Sequence, residues 1–222
     1  MSKKAILSIV LSCLFASQSL FAEIKLPSIV SSNMVLQRNT EVTIWAWADA
    51  KEKVTITASW LSDEIDVRAD DEGNWSVKVQ TTNSKKPQSI TLSSKESEIK
   101  LENILFGEVW LCSGQSNMQQ PLKGYWNQPT FQDPFTIADA SNPNLRLFTV
   151  HRKGSKTPLQ DVEEFEVWAA ASSENVYDFS AVAYFFGKQL QEILDVPVGM
   201  IHTSWGGSSV QAWISREKIT EY

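Results

Sequence analysis

Cysteine and histidine are both scarce in this chain of 222 residues. It contains two cysteines, Cys13 and Cys112, and two histidines, His151 and His202. Because Cys13 lies in an N-terminal segment that we expect to be removed, Cys112 is left alone and cannot form an internal disulfide. The three remaining Cys and His side chains are also fewer than the four ligands of a structural zinc site. We therefore expect no metal and no other cofactor.

Long apolar runs and an excess of positive charge are also lacking. No run of about 18 or more apolar residues follows the N-terminal segment, so the sequence predicts no membrane span. The formal net charge is −6, and an acidic protein is a poor partner for nucleic acid or anionic membranes. Net charge does not exclude an anionic sugar, because a single local arginine can bind one. The oligomeric state is not predicted.

The N-terminus has the order of features that is typical of an export signal. Lys3 and Lys4 precede an apolar run over 5–14, and small residues follow as far as Ala22. We predict that residues 1–22 are a signal peptide, and that the protein is exported to the periplasm or the extracellular space. A buried first helix and a lipoprotein anchored at Cys13 remain as alternatives.

Residues 23–105 are predicted to form an all-β sandwich. Short segments in this region alternate apolar and polar residues with the period of half-buried strands, and turn-forming clusters at 70–74 and 83–87 separate some of them. Short strands at near-regular spacing favour a sandwich over other β architectures. The predicted strands are 42–45, 54–57, 65–68, 75–79, 89–92 and 99–102.

The pattern changes after Leu105. The compact apolar run 109–112 predicts a buried parallel strand, and residues 121–144 resemble a loop. A strand over 145–150, a helix over 179–194 and a strand over 197–202 follow, an order that predicts a parallel sheet with crossover helices. Asp178 or Ser180 is the predicted N-cap of that helix. Its predicted core-facing residues are Val182, Phe185, Phe186, Leu190, Ile193 and Leu194.

Two turns follow predicted strands and carry residues suited to catalysis. Gly114 and Ser116 follow the first strand, where ligand sites of open α/β sheets lie. Gly206 and Gly207 follow the last strand, and their exposed N–H groups suit a negatively charged oxygen. A serine needs a positioned base to become a nucleophile. Each pattern alone also fits an ordinary turn, and the sequence does not show that the two turns meet.

Residues 107–118, Gly-Glu-Val-Trp-Leu-Cys-Ser-Gly-Gln-Ser-Asn-Met, resemble the nucleophile block of the sialate O-acetylesterase family, within the SGNH hydrolase superfamily. Residues 201–208 and 211–215 resemble the family's second block, and residues 178–187 resemble the helix between them. Residues 26–27 and 33–37 resemble the start of its N-terminal β domain. The resemblance covers nearly all of the chain after residue 22. It implies that residues 106–222 are the first half of an α/β/α SGNH-type esterase domain.

The resemblance implies a serine esterase that removes acetyl groups from sugars. Ser116 would attack the acetyl carbonyl and form an acyl-enzyme, and its backbone N–H would stabilise the oxyanion together with Gly206 or Gly207. Four further residues would lie close to the substrate: Gln115, Asn117, His202 and Trp205. The substrate would be an acetylated sialic acid. Acetylated plant polysaccharide such as xylan is an alternative, and so is a non-catalytic carbohydrate-binding protein.

The family's catalytic base lies in an Asp-x-x-His block that this sequence does not contain. Phe148 stands three residues before His151, and Gly199 stands three residues before His202. The family's Gln-Gly-Glu block is absent as well. We therefore expect that the chain is a fragment truncated before its catalytic His and Asp, and that this fragment alone is inactive. His202 remains an alternative base.

Other reactive or aromatic side chains have a structural explanation beside the functional one. Cys112 is expected to be a packed thiol. An acidic cluster could be interpreted as paired glycosidase carboxylates, but we expect it to be a solvated face. Nine tryptophans are present, and core packing accounts for most, so at most one or two are expected to touch a sugar. The acidic residues are Asp161, Glu163, Glu164 and Glu166, and the tryptophans considered for stacking are Trp126, Trp205 and Trp213.

Overall fold

The computed structural model describes residues 23–130 and 133–220. The predicted signal peptide, residues 1–22, lies outside the described residues. The strands are β1 (Val35–Gln37), β2 (Glu41–Trp47), β3 (Lys53–Ala58), β4 (Ile65–Arg68), β5 (Asn74–Gln80), β6 (Gln88–Ser93), β7 (Glu98–Gly114), β8 (Ser141–Val150), β9 (Phe165–Ser172) and β10 (Val198–Ser204). The α-helices are α1 (Ser116–Gln119), α2 (Asp133–Ala138), α3 (Ser173–Tyr177), α4 (Ala181–Leu194) and α5 (Arg216–Ile219), with a 3₁₀ helix at Val210–Trp213.

Eight of these strands form one mixed sheet. Its order is β4-β3-β6-β7-β10-β8-β9, with β1 also paired to β7, while β2 and β5 form a separate two-stranded ribbon. Strands β1, β7, β10 and β8 pair in parallel, which confirms the predicted parallel arrangement with helices. Strand β9 was not predicted, and it runs antiparallel to β8. The sheet of the second half is therefore mixed rather than wholly parallel.

Strand β7 joins the two halves of the chain. Its first residues pair with β6, residues 105–107 pair with β1, and residues 108–114 pair with β10. Gly107 lies where the partner changes, and a Cβ added there would lie 1.9 Å from the carbonyl oxygen of Pro197. The change of sequence character at Leu105 thus falls inside a continuous strand. The division into a sandwich of 23–105 and a second unit stays a prediction.

The hydrophobic core forms two clusters. The first combines Ile44, Ile56 and Leu92 from the N-terminal strands with Phe148 and Trp168 from β8 and β9. The second lies between the sheet and α4, and it contains Cys112, Leu145, Tyr184, Val198 and Met200. Because the first cluster takes residues from both halves of the chain, the two halves share buried surface.

Helix α4 contacts the sheet through a face that the sequence analysis assigned incorrectly. The N-cap is Ser180, one of the two residues predicted for this role. Its Oγ accepts a hydrogen bond from the Ala183 N–H at 3.2 Å. A Cβ on Gly187 would lie 2.8 Å from Met200, so small residues let the helix backbone approach the sheet closely. The buried helix residues are Ala181, Ala183, Tyr184 and Gly187. Leu190 is partly buried against the core, whereas Val182, Phe185, Phe186, Ile193 and Leu194 are exposed.

The last part of β7 is less buried than the sequence predicts. Trp110 is 44% exposed and Leu111 is 65% exposed, although Trp110 makes an edge-to-face contact with Phe186 at 5.0 Å. Within the described ranges, residues 109–113 have β10 as their single strand neighbour. The Val109 N–H points to the open edge, where it donates to Gln37 Oε1 at 3.0 Å. An apolar run therefore predicts a strand here, but it does not predict full burial.

Candidate active site

Ser116 lies at the carboxyl end of a central strand and is exposed to solvent. Strand β7 ends at Gly114, whose φ of 149° favours glycine, and Ser116 is the first residue of α1. Among residues 23–130 and 133–220, no side chain or backbone group hydrogen-bonds to the Ser116 Oγ. The hydroxyl is thus open to an incoming ester.

The Ser116 turn and the glycine turn after β10 lie side by side. Ser204 is in register with Gly114, and the Trp205 N–H donates to the Gly114 carbonyl at 2.9 Å. A Cβ built on Gly206 would lie 3.6 Å from both Cα and Cβ of Ser116. Parallel pairing of β7 with β10 therefore brings together two features that are 90 positions apart in the chain.

The predicted oxyanion donors differ in their present partners. The Gly206 N–H donates to Gln119 Oε1 at 2.6 Å. The backbone N–H groups of Ser116 and Gly207 have no acceptor within the described parts of the chain. Gly207 has a φ of 81°, and a Cβ built on it would meet no atom within 4 Å. Gln119 was missed by sequence analysis. Its one signal is its position three residues after Ser116, about one helical turn away, and that signal is not specific.

Neither histidine is placed as a base for Ser116. His202 is buried, its Nε2 shares a hydrogen bond with Ser204 Oγ at 2.7 Å, and burial lowers its pKa to about 4. His151 is exposed, and its Nε2 lies 3.4 Å from Glu166 Oε1. Neither ring hydrogen-bonds to Ser116. Cys112 is buried with a pKa raised to about 11 by burial, so it stays a protonated thiol at neutral pH.

The other candidates are divided between the site and the surface. Gln115 and Asn117 flank Ser116 and are exposed, and Trp205 beside them is 43% exposed. Trp213 Nε1 donates to Ser208 Oγ at 2.9 Å. This hydrogen bond joins Trp213 to the segment that follows the glycine turn, so its indole N–H already has a partner within the protein. Trp126 is 98% exposed.

The acidic cluster consists of surface groups with partners of their own. Lys153 pairs with Glu163 and Glu164, and Asp161 accepts hydrogen bonds from Ser28. This arrangement fits a solvated face rather than a pair of catalytic carboxylates. No group of three or more His, Cys, Asp or Glu side chains that could hold a metal ion occurs among the residues that the structure describes.

A polar cavity of about 330 Å³ lies beside the two turns. Gln119, which binds Gly206, forms one wall, and His202 and Ser204 form another. His151 and Arg152, which directly follow β8, also line the cavity. The cavity thus opens at the carboxyl ends of the parallel strands, next to the Ser116 turn.

Comparisons with known proteins identify relatives over most of the chain. No family model matches the chain. The sialate O-acetylesterases of Homo sapiens and Pongo abelii are each 30% identical over 222 residues, covering 93% of this chain. The mouse sialate O-acetylesterase is 28% identical over 86% of the chain. A solved carbohydrate acetylesterase from Xanthomonas citri aligns over 89% of the chain with a TM-score of 0.80 and 29% identity.

In fold and sequence the chain is thus similar to proteins of the carbohydrate esterase class. It spans about two fifths of the relatives' length, between 38% and 42% of the curated proteins and 43% of the solved one. Within that class, the chain belongs to the sialate O-acetylesterase family. In the described part of the chain, no helix has the length and apolar character needed to cross a membrane.

Proposed function

We propose that the protein is a carbohydrate O-acetylesterase in which Ser116 is the nucleophile. The observation that carries the proposal is the exposed Ser116 hydroxyl at the end of β7, beside the Gly206 turn, where a Cβ built on Gly206 would lie 3.6 Å from Ser116 Cβ. A nucleophile at a strand end beside free backbone N–H groups suits acyl transfer.

The chemistry follows from where these groups lie. Ser116 Oγ attacks the acetyl carbonyl carbon, its proton passes to a base, and the carbonyl oxygen becomes an oxyanion. The unpaired N–H groups of Ser116 and Gly207 are the proposed donors to that oxygen. One such donor is typically worth about 2.7–4 kcal/mol in the transition state. The intermediate releases the sugar as an alcohol, and water then hydrolyses the acetyl-serine to acetate.

Gly206 supplies a further donor once Gln119 releases it. In the structure Gln119 Oε1 accepts a hydrogen bond from the Gly206 N–H at 2.6 Å. A substrate oxygen that replaces this amide oxygen would take over the same donor. Gln119 therefore acts as a stand-in acceptor that keeps the turn in place when no ester is bound.

No base for Ser116 is identified among residues 23–130 and 133–220. The two histidines have other partners, and the sequence contains no Asp-x-x-His block. The 222-residue chain alone is expected to show little or no turnover.

The proposed substrate is an acetylated sialic acid, as the names of the curated relatives suggest. An acetylated polysaccharide of the xylan type is the alternative within the same chemistry. A location outside the cytoplasm is proposed from the order of residues in segment 1–22.

The test is p-nitrophenyl acetate hydrolysis by the full-length product of the gene, with Ser116→Ala compared to the unchanged protein. Loss of the nucleophile is expected to lower kcat by at least about 1000-fold. Ser113→Ala is the matched control, because Ser113 is also exposed in the same segment and is expected to leave the rate unchanged.

Equal rates for the unchanged protein and Ser116→Ala would refute the esterase proposal and favour a non-catalytic carbohydrate-binding protein. Ser116-dependent turnover by the 222-residue chain alone would show that the missing-base argument is wrong.

A further inference from the structure

We propose that a groove beginning at Trp45 binds a neutral oligosaccharide chain and leads it toward the Ser116 turn. The groove itself is a binding site in the N-terminal half of the chain. Its connection to Ser116 rests on the proposed function with its alternative substrate, an acetylated neutral polysaccharide, whereas binding in the groove does not.

The groove begins at a cavity of about 570 Å³ beside the β2–β5 ribbon. Trp45 lines it and is 38% exposed, and Trp47 lies two residues further along the same face of β2. The Trp47 Nε1 donates to Gln160 Oε1 at 3.1 Å, which fixes its ring. Arg68 and Asn74 also line this cavity. Aromatic faces with a few polar groups are what sugar rings, apolar on their faces and polar at their edges, require.

Three cavities follow one another along the surface. A second cavity of about 500 Å³ shares Trp45 and Gln160 with the first. The polar cavity of about 330 Å³ beside the active site shares Val150 and His151 with the second. Volumes of about 300–1,000 Å³ are typical of sites for single small ligands. Three such spaces in series fit several linked sugar units better than one free monosaccharide.

Carboxylates outnumber basic side chains along the first two cavities, which favours a neutral chain over an acidic one. Arg68 Nη1 donates to the Lys51 carbonyl at 2.7 Å, and Lys153 pairs with Glu163 and Glu164. The carboxylates of this stretch would also repel an acidic sugar chain.

The test measures binding of three neutral tetrasaccharides, xylotetraose, cellotetraose and mannotetraose, by isothermal calorimetry and by tryptophan fluorescence. At least one is expected to bind more tightly than its monosaccharide and more tightly than sialyllactose. Trp45→Ala is expected to weaken that binding by at least about tenfold, and Trp45→Phe by less because a ring remains. Circular dichroism reports whether each variant is folded.

Trp126→Ala is the matched control, since Trp126 is 98% exposed and lines none of the three cavities. Ser116→Ala should bind the tetrasaccharide unchanged, so a failure of the esterase proposal leaves this test intact. The proposal is overturned if no tetrasaccharide binds more tightly than its monosaccharide, if sialyllactose binds most tightly, or if folded Trp45→Ala and Trp45→Phe both bind as well as the unchanged protein.

Discussion

His202 is buried near the end of β10, with its ring 5.5 Å from that of Phe179 and its Nε2 hydrogen-bonded to Ser204 Oγ. Burial lowers its pKa from 6.5 to about 4, so the folded protein holds the ring neutral at pH 7. In the unfolded chain the same ring takes up a proton near pH 6.5. Between these two values the unfolded state binds more protons than the folded state.

The free energy of unfolding is therefore expected to fall as the pH is lowered from about 6.5 to 4, by roughly 3 kcal/mol from this residue alone. Urea unfolding at a series of pH values measures the effect. Because carboxylates also contribute at low pH, the comparison is with His202→Asn, which should have a shallower pH dependence. His151→Asn, at an exposed position, should retain the steep pH dependence of the unchanged protein. Identical slopes for the unchanged protein and His202→Asn would contradict the assignment.

At the scale of single residues, the strand-end rule predicts a ligand site at Ser116, and the structure has Ser116 two residues after the end of β7. The rule did not predict Gln119, whose contact with Gly206 depends on how the two turns are placed in space. The open environment of Trp110 and Leu111 was not predictable either, because an apolar run does not show which of its sides a neighbour covers.

At the scale of elements, β7 depends on Gly107 where its partner changes from β1 to β10. A Cβ at this position would lie 1.9 Å from the Pro197 carbonyl oxygen, and backbone atoms on both sides cannot move independently. Gly107→Ala is expected to lower the free energy of unfolding by about 1–3 kcal/mol or more.

The matched control is Gly154→Ala, since a Cβ on Gly154 would meet no atom within 4 Å. This control should change stability by less than about 0.5 kcal/mol. The measurement is the urea midpoint of each variant. If both substitutions had the same small effect, the crowding at Gly107 would not exist.

Most strands were predictable because one face of each is buried, which leaves an alternating pattern. Strand β9 was missed because its Val167 is 61% exposed and acidic residues precede it, so its alternation is weak. The predicted orientation of α4 was wrong because the sequence analysis assigned its large apolar residues to the core. Hydropathy assigns the core to large apolar residues, whereas this helix packs closely through Gly187 and alanines.

At the scale of the whole molecule, the first core cluster joins N-terminal strands to β8 and β9. Two parts that share a buried cluster and a continuous strand are expected to unfold together. Calorimetry should show one transition, with calorimetric and van't Hoff enthalpies nearly equal.

Ile56→Ala and Met200→Ala test this expectation from the two halves, because both side chains are fully buried. Each substitution should cost about 2–5 kcal/mol and shift the same single transition. Two separate transitions, each responding to one substitution only, would show that the halves are independent.

The 17 residues of β7 also have a mechanical consequence. An extended strand of this length spans roughly 50 Å, and its hydrogen-bonded neighbours stiffen it along most of that distance. One end of the strand is held in the antiparallel half of the sheet by β6, and the other end leads into the proposed nucleophile, Ser116. A tilt introduced by repacking near Ile99 would therefore displace the Ser116 hydroxyl although no atom of the Ser116 turn had been altered.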